Sequence, residues 1–301
     1  MTATLELARF DLMPPPTVIA LLARRSAQLQ MMPDVAFEAM QFAKNPNCSI
    51  AQYAAIVERD LKLTVDILRI ANSTLYSPPI PIVNLHQAVV RLGLRECQNL
   101  IFASCIRSLM RRISLDEEQI RIVLWQHSFT TGLVATHLNR LFHFGFEGEE
   151  FTAGLIHDLG RTLMAAVDCT QFSEIDGLEF DETPDQLLVE RAVAGTDHCR
   201  LGAWYAVQQQ LPRQLAEVML WHHNPVMASE AKQLTAVIAV ADHMANHLQR
   251  TRSPVDYEHE KNPFAPVLAQ FFDVNFEHQF ARTAKVILES AHRDSLAMTQ
   301  F

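Results

Sequence analysis

Apolar residues recur along most of this chain at the three-to-four-residue interval of a helix, and almost nowhere at the two-residue alternation of a strand. A helical run over Val35–Asn45 ends at Asn45-Pro46. Ser49, with Gln52 three residues on, forms a capping box that opens a helix over Ile50–Arg59. Leu63, Ile67 and Ile70 mark one face of a helix over Leu63–Asn72. Ser77-Pro78-Pro79-Ile80-Pro81 then reads as an extended connector. Asn84 and Gln87 open another helix, Gly93 stops it, and Leu94–Arg112 turns Leu100, Ile101, Cys105, Leu109 and Met110 inward.

The second half begins near Leu115. A long helix is expected from about Glu117 to Phe144, then a loop with Gly145 and Gly148, a helix over Phe151–Val167, and an acidic loop over Asp168–Glu182. Thr183-Pro184-Asp185-Gln186 combines an N-cap, a proline at the first helical position and Gln at the third. Further helices are expected over Thr196–Gln210, Pro212–His223, Ser229–Arg250 and Asn275–Ala297. Ser253–Pro266, with three prolines and no apolar period, reads as a loop. Ile80–Leu85 is the one weak strand candidate. The expected fold is therefore all-α in two helical lobes, residues 29–112 and 113–301, the second with a C-terminal helix. The first 28 residues, where Pro14-Pro15-Pro16 leads into a short helix from Thr17, are an arm packed on the core or a linker.

Composition agrees. The chain has 9 glycines in 301 residues, under half the usual share of about 7%, which disfavours turn-rich β folds; histidine occurs 13 times. Twenty-five basic against thirty-four acidic residues leave a net charge of −9, so nucleic acid is not an expected partner. Five cysteines without CxxC spacing suit reduced thiols. No apolar run approaches a bilayer span and the N-terminus lacks a signal-peptide pattern, so the expectation is a cytoplasmic protein without membrane attachment. There is no GxSxG, P-loop or GxGxxG motif.

The candidate chemistry lies in the second half, in His127, His157, Asp158, His198, His222, His223 and Asp242. His157-Asp158 interrupts the apolar run AGLIHDLG, and Asp242 stands inside AVIAVADHMA. A buried unpaired carboxylate is costly. Histidines and carboxylates gathered from several helices of a bundle form an N/O site suited to iron, manganese or zinc. A metal-free polar cluster is the other reading of the same residues. His137, His143, His243, His247, His259, His278 and His292 are expected on polar faces or loops.

These residues carry a resemblance. Leu29–Leu100 is similar to the first half of an HDOD domain, through Met32-Pro33, the helix entry from Asp60 to Leu68, Arg69-Ile70-Ala71-Asn72-Ser73, Leu75-Tyr76 and Val90-Arg91-Leu92-Gly93-Leu94. The second half resembles it through Trp125-Gln126-His127-Ser128, Ala153 to Gly160, Gly195-Thr196-Asp197-His198 with Gly202, and His222-His223-Asn224-Pro225. The resemblance covers residues 29 to about 250. It implies an all-helical bacterial signalling module with an HD-like second lobe, related to the HD and HD-GYP metal phosphohydrolases. It also implies protein partners such as receiver or cyclic-dinucleotide-signalling (EAL, GGDEF) proteins.

By the same resemblance, the His…His-Asp…Asp metal set of the HD hydrolases falls on His127, His157, Asp158 and Asp242. His198, His222 and His223 take the places of the further histidines of HD-GYP relatives. Were the protein a hydrolase, Asp158 would assist a metal-bound water and Arg161 would hold phosphate. Three departures stand against cyclic-dinucleotide phosphodiesterase activity: Arg161 replaces a Lys, Asn224 replaces a Glu, and no Gly-Tyr-Pro follows. The leading expectation is a binding module with an HD-like pocket able to hold a metal; the alternative is a phosphohydrolase acting on a nucleotide or phosphoester.

Overall fold

The computed structural model describes residues 12–26, 33–43, 45, 47–72, 79–112, 118–181, 185–272 and 275–298. Among them there is no strand, and the stretch Ile80–Asn84 is coil leading into a helix cap. The helices, in chain order, are α1 (Pro16–Ser26), α2 (Asp34–Phe42), α3 (Ile50–Val57), α4 (Leu61–Ala71), α5 (Leu85–Leu92), α6 (Leu94–Arg112), α7 (Glu118–Phe142) and α8 (Glu149–Ile156). They continue with α9 (Leu159–Val167), α10 (Cys169–Ile175), α11 (Gln186–Ala194), α12 (His198–Gln208), α13 (Arg213–Trp221), α14 (Lys232–Thr251), α15 (Ala265–Ala269) and α16 (Phe276–Met298). Two compact units result: Leu29–Arg112 with Arg293–Phe301, and Met1–Gln28 with Ile113–His292.

The smaller unit contains α2 to α6. Ser49 Oγ accepts from the Gln52 backbone N–H at 3.4 Å, Asp60 Oδ1 from Leu63 at 3.0 Å, and Asn84 Oδ1 from Gln87 at 2.8 Å, so three helix starts have capped N–H groups. Their apolar faces meet in a core that includes Tyr53, Ile67, Leu85 and Ile101. Of the Pro-rich connector, residues 77 and 78 lie outside the described residues. Beyond them, the Asn72 side chain donates to the Ile82 carbonyl at 2.8 Å and accepts from its N–H at 2.7 Å, pinning the chain as it returns to α5.

The larger unit is built around α7, which packs against α8 and α14, while α12 packs against α9 and α13. In the described part of the N-terminal segment, α1 lies against α9, and Val18 and Leu22 are buried. Residues 293–298 of α16 group with the smaller unit. Phe272 stacks on Phe276 and Phe276 on Phe280, with Phe142 against Phe276, so aromatic contacts anchor the start of α16.

The structure corrects several expectations for this unit. The helix expected over Phe151–Val167 is two helices, because Asp158 leaves helical geometry at φ −102°, ψ 14°. His157 and Asp158 are both buried. Neighbours on an unbroken helix diverge by about 100°, and the break lets both side chains enter one centre. The acidic loop from Asp168 contains α10, opened by Asp168 Oδ1 accepting from Gln171 N–H at 2.9 Å and held by buried Cys169 and Phe172. The loop over Ser253–Pro266 includes a 3-10 turn at His259–Lys261 and runs into α15. Thr183 and Pro184 lie outside the described residues, and α11 starts after Asp185 without a side-chain cap.

Candidate metal centre

All seven singled-out residues converge inside the larger unit. His127 lies midway along α7, His157 and Asp158 form the break between α8 and α9, and His198 opens α12. His222 and His223 follow the end of α13, and Asp242 lies midway along α14. Two close approaches of backbone make this meeting sterically feasible. A Cβ on Gly154 would lie 2.7 Å from the Cα and N of Gly132, so α7 and α8 touch backbone to backbone beside His127 and His157. A Cβ on Gly160 would fall 1.8 Å from the His198 carbonyl oxygen, so α12 can begin against α9 only where there is no side chain.

Asp158 joins two groups of ligand-type atoms. On one side His127 Nε2 stands 3.0 Å from Asp242 Oδ1, 3.3 Å from His157 Nε2 and 3.6 Å from Asp158 Oδ2. His157 Nε2 is 3.3 Å from Asp242 Oδ1 and 3.7 Å from Asp158 Oδ2. On the other side Asp158 Oδ1 is 3.5 Å from both His198 Nε2 and His222 Nε2, and His198 Nε2 is 3.0 Å from His223 Nε2. Six of the seven residues are buried; His223 is half-buried.

Hydrogen bonds at the backs of the rings decide which nitrogen faces inward. His157 Nδ1 bonds the Gly154 carbonyl at 2.7 Å and His222 Nδ1 the Met219 carbonyl at 3.0 Å. A carbonyl oxygen only accepts, so both rings carry the proton on Nδ1 and, when neutral, present a lone pair at Nε2. Lone pairs and carboxylates then face one another. Asp158 Oδ1, Asp242 Oδ1 and His222 Nε2 are buried and face ring nitrogens without a settled hydrogen-bond partner, an arrangement that is costly unless a proton on the facing imidazoles or a cation sits among them. Ligand atoms about 2.1 Å from a metal lie about 3.0 to 3.4 Å from each other in octahedral or tetrahedral geometry. The separations among His127, His157 and Asp242 and between His198 and His223 fall in that range, and those to Asp158, at 3.5 to 3.7 Å, are slightly longer.

Without a metal the charges lean on one another. Burial works against charge on Asp158 and Asp242. Together, His157, Arg161, His222 and His198 outweigh it at Asp158, and His157 and His127 outweigh it at Asp242, so both carboxyls are held well below the usual range. Burial likewise opposes charge on His157, but Asp158 and Asp242 hold its pKa above the ordinary value. At His198 burial is outweighed by the Cys199 sulfur and the Glu190 carboxylate, which push the pKa well up.

Arg161, the candidate phosphate holder, is already engaged. Its Nε and Nη2 fork onto Asp176 at 2.7 and 2.8 Å, and Nη1 reaches Asp158 Oδ2 at 3.0 Å. Phe180 lies under the guanidinium, 4.5 Å from its ring centre, and stacks on His127 at 4.5 Å. Arg250 donates to the Phe180 carbonyl. The segment 176–180 is thus a strap over the His127 side of the centre, bent through positive φ at Leu178 (55°) and Phe180 (52°).

Asp176, Phe180 and Glu190 escaped the sequence reading. Glu190 had one usable signal, its place eight residues before His198; Phe180 had none beyond being aromatic in an acidic stretch. Cys199, whose Sγ is 4.0 Å from His222 Nδ1, joins the same cluster. His247, expected on a polar face, is buried and packs on Tyr257.

A sequence profile of the HDOD domain matches residues 29–225. A curated Treponema pallidum protein of uncharacterised function is 23% identical over 280 residues, 92% of this chain and 52% of that protein; the chain spans about half that relative's length. Among solved structures, an HDOD domain protein of unknown function from Geobacter sulfurreducens superposes with a TM-score of 0.70 at 23% identity, covering 87% of this chain and 92% of the other. A Shewanella amazonensis protein provisionally assigned as a phosphohydrolase gives 0.66 at 20% identity, covering 91% and 98%. A Marinobacter aquaeolei protein provisionally assigned to signal transduction gives 0.59 at 16%, covering 88% and 59%. At these identities the structural likenesses show the all-α fold. Among the described residues no helix is long and apolar enough to cross a membrane.

Proposed function

The chain belongs to the HDOD domain family, and on that premise we propose that it is a bacterial signal-transduction module that works by binding a protein or ligand partner. In this reading its His/Asp centre holds a divalent iron, manganese or zinc ion and is not used for cyclic-dinucleotide hydrolysis. The observation that carries the reading is the engagement of Arg161. Beyond the metal, a side-chain cation free to hold the phosphate helps phosphoryl transfer, and the Arg161 guanidinium beside the centre is clasped by Asp176 and Asp158 and covered by Phe180. His127, His157, Asp158 and Asp242 would hold the ion on one side; Asp158, His198, His222 and His223 are the donors on the other. A bound ion would supply Lewis acidity and a water of lowered pKa. The protein would supply buried, pre-oriented donors whose mutual repulsion the ion relieves. Signalling partners of the receiver or cyclic-dinucleotide-signalling kind fit this role, and the Marinobacter relative is in line with it.

One observation favours the alternative, a metal-dependent phosphohydrolase acting on a nucleotide or phosphoester. The His/Asp set is complete, and half-buried His223 marks a side from which a small ligand could approach. Metal analysis of protein purified without chelators, with a panel of nucleotides and cyclic dinucleotides, separates the two. The expected result is bound metal and no turnover. Turnover abolished by Asp158→Ala would establish the hydrolase instead, and metal-free protein that takes up none on titration would remove the metal from both readings.

A further inference from the structure

The geometry points to Glu190 as the positioning residue that orients His198 toward the metal and sets how tightly the His198 side of the centre holds its ion. The inference rests on the metal reading above and adds a residue that is not itself a ligand. Glu190 lies on α11 and is buried. Its Oε1 and Oε2 stand 2.9 and 2.8 Å from His198 Nδ1, and Oε2 also accepts the His198 backbone N–H at 2.8 Å. The opposite ring nitrogen, Nε2, faces His223 Nε2 and Asp158 Oδ1. A histidine that donates Nδ1–H to a carboxylate has its lone pair fixed at Nε2 and is a stronger donor there. His157 and His222 use neutral backbone carbonyls for the same purpose. Of these three rings, His198 is the one in which a single side-chain substitution can change both orientation and basicity.

A purely architectural role for Glu190, capping α12, accounts for less. Asp197 already caps that helix, its Oδ1 accepting the Arg200 N–H at 2.8 Å, and is paired with Arg191. The turn between the two elements passes through Gly195 at φ 72°. It brings Glu190 back onto the ring of His198 as well as onto its N–H. A carboxylate at this depth is costly without a compensating positive charge; the ion pair it makes is with His198, and a cation on the far side of that imidazole extends the compensation.

The test uses the full chain, stripped with EDTA and titrated with Zn²⁺ or Mn²⁺ by calorimetry, with retained metal counted by mass spectrometry. Glu190→Gln keeps an acceptor for Nδ1–H and loses the charge. The expected result is a 10- to 100-fold loss of metal affinity with the far-UV circular dichroism of the metal-free protein unchanged. Wild-type affinity in Glu190→Gln, while Asp242→Asn loses metal, would overturn the role of Glu190 and leave the metal reading standing. A wild-type chain that takes up no metal would sink both. Should Glu190→Gln not fold, the ¹⁵N ring shifts of His198 in zinc-loaded wild-type protein decide the matter. A protonated Nδ1 with metal on Nε2 supports the inference, and the opposite tautomer refutes it.

Discussion

Asp176→Ala is the sharpest test of the strap that engages Arg161. The perturbation removes a carboxylate making two hydrogen bonds of 2.7 and 2.8 Å to one guanidinium, with side chains only 4% and 5% exposed. Breaking a buried pair from one side typically costs about 3–5 kcal/mol, because the remaining charge is left uncompensated. Here Arg161 keeps Asp158 at 3.0 Å and the face of Phe180, so the cost should fall at the low end, about 3 kcal/mol. For a unit of this size that corresponds to a fall in Tm of roughly 6–12 °C. All three tryptophans, Trp125, Trp204 and Trp221, lie in the larger unit, so intrinsic fluorescence during urea or thermal unfolding reports on the unit that carries the strap. Combining Asp176→Leu with Arg161→Met should cost clearly less than the sum of the single changes, since neither charge is then stranded. A loss below about 1 kcal/mol for Asp176→Ala, or additivity in the double variant, would show that the fork does not hold the strap and that Arg161 is free for other work.

Three further outcomes are expected. Removing metal with EDTA should lower the fluorescence-detected Tm, and restoring it at about one hundred times Kd should return about 2.7 kcal/mol; an unchanged Tm would mean that no ion binds the folded centre. In metal-free protein the raised pKa values of His157 and His198 give stability that is complete below about pH 6.5 and lost as pH rises through their folded values. The depressed carboxyls of Asp158 and Asp242 give stability present above about pH 3.9 and lost as pH falls through their folded values. The urea midpoint of the metal-free chain should therefore peak between those limits, and a midpoint at pH 8 equal to that at pH 6 would refute the charge assignment. Gly160→Ala should destabilise the larger unit by about 3 kcal/mol or more, because its Cβ would meet the His198 carbonyl at 1.8 Å; wild-type unfolding with full metal uptake would show that α9 and α12 can separate without consequence.

What the sequence made legible, and what it hid, divides along a physical line. Helix starts were readable where a short polar side chain closes a local ring, as at Ser49 and Asn84; Asp168 closes the same ring, but the acidic stretch around it reads as a loop. Apolar faces were readable because a period of 3.6 residues is a property of the chain itself, and the expected inward residues of α6, from Leu100 to Met110, are all buried. The seven residues of the centre were nameable through resemblance, and Asp242 also by physics, since an aspartate amid alanine and valine demands a partner. The break at His157-Asp158 was not nameable, because the local pattern AGLIHDLGRTLMAA is that of one helix. The chain departs from that pattern so that two polar side chains can enter the same space, a constraint that exists only once α7, α12 and α14 are in place. The strap and Glu190 follow the same rule: Phe180 covers His127 from 53 positions away, and Asp176 finds Arg161 across 15. Their chemistry depends on the depth to which tertiary packing carries them. An exposed carboxylate eight residues before a histidine would be an ordinary surface acid; at 2% exposure against Nδ1 it fixes the direction in which that histidine can bind.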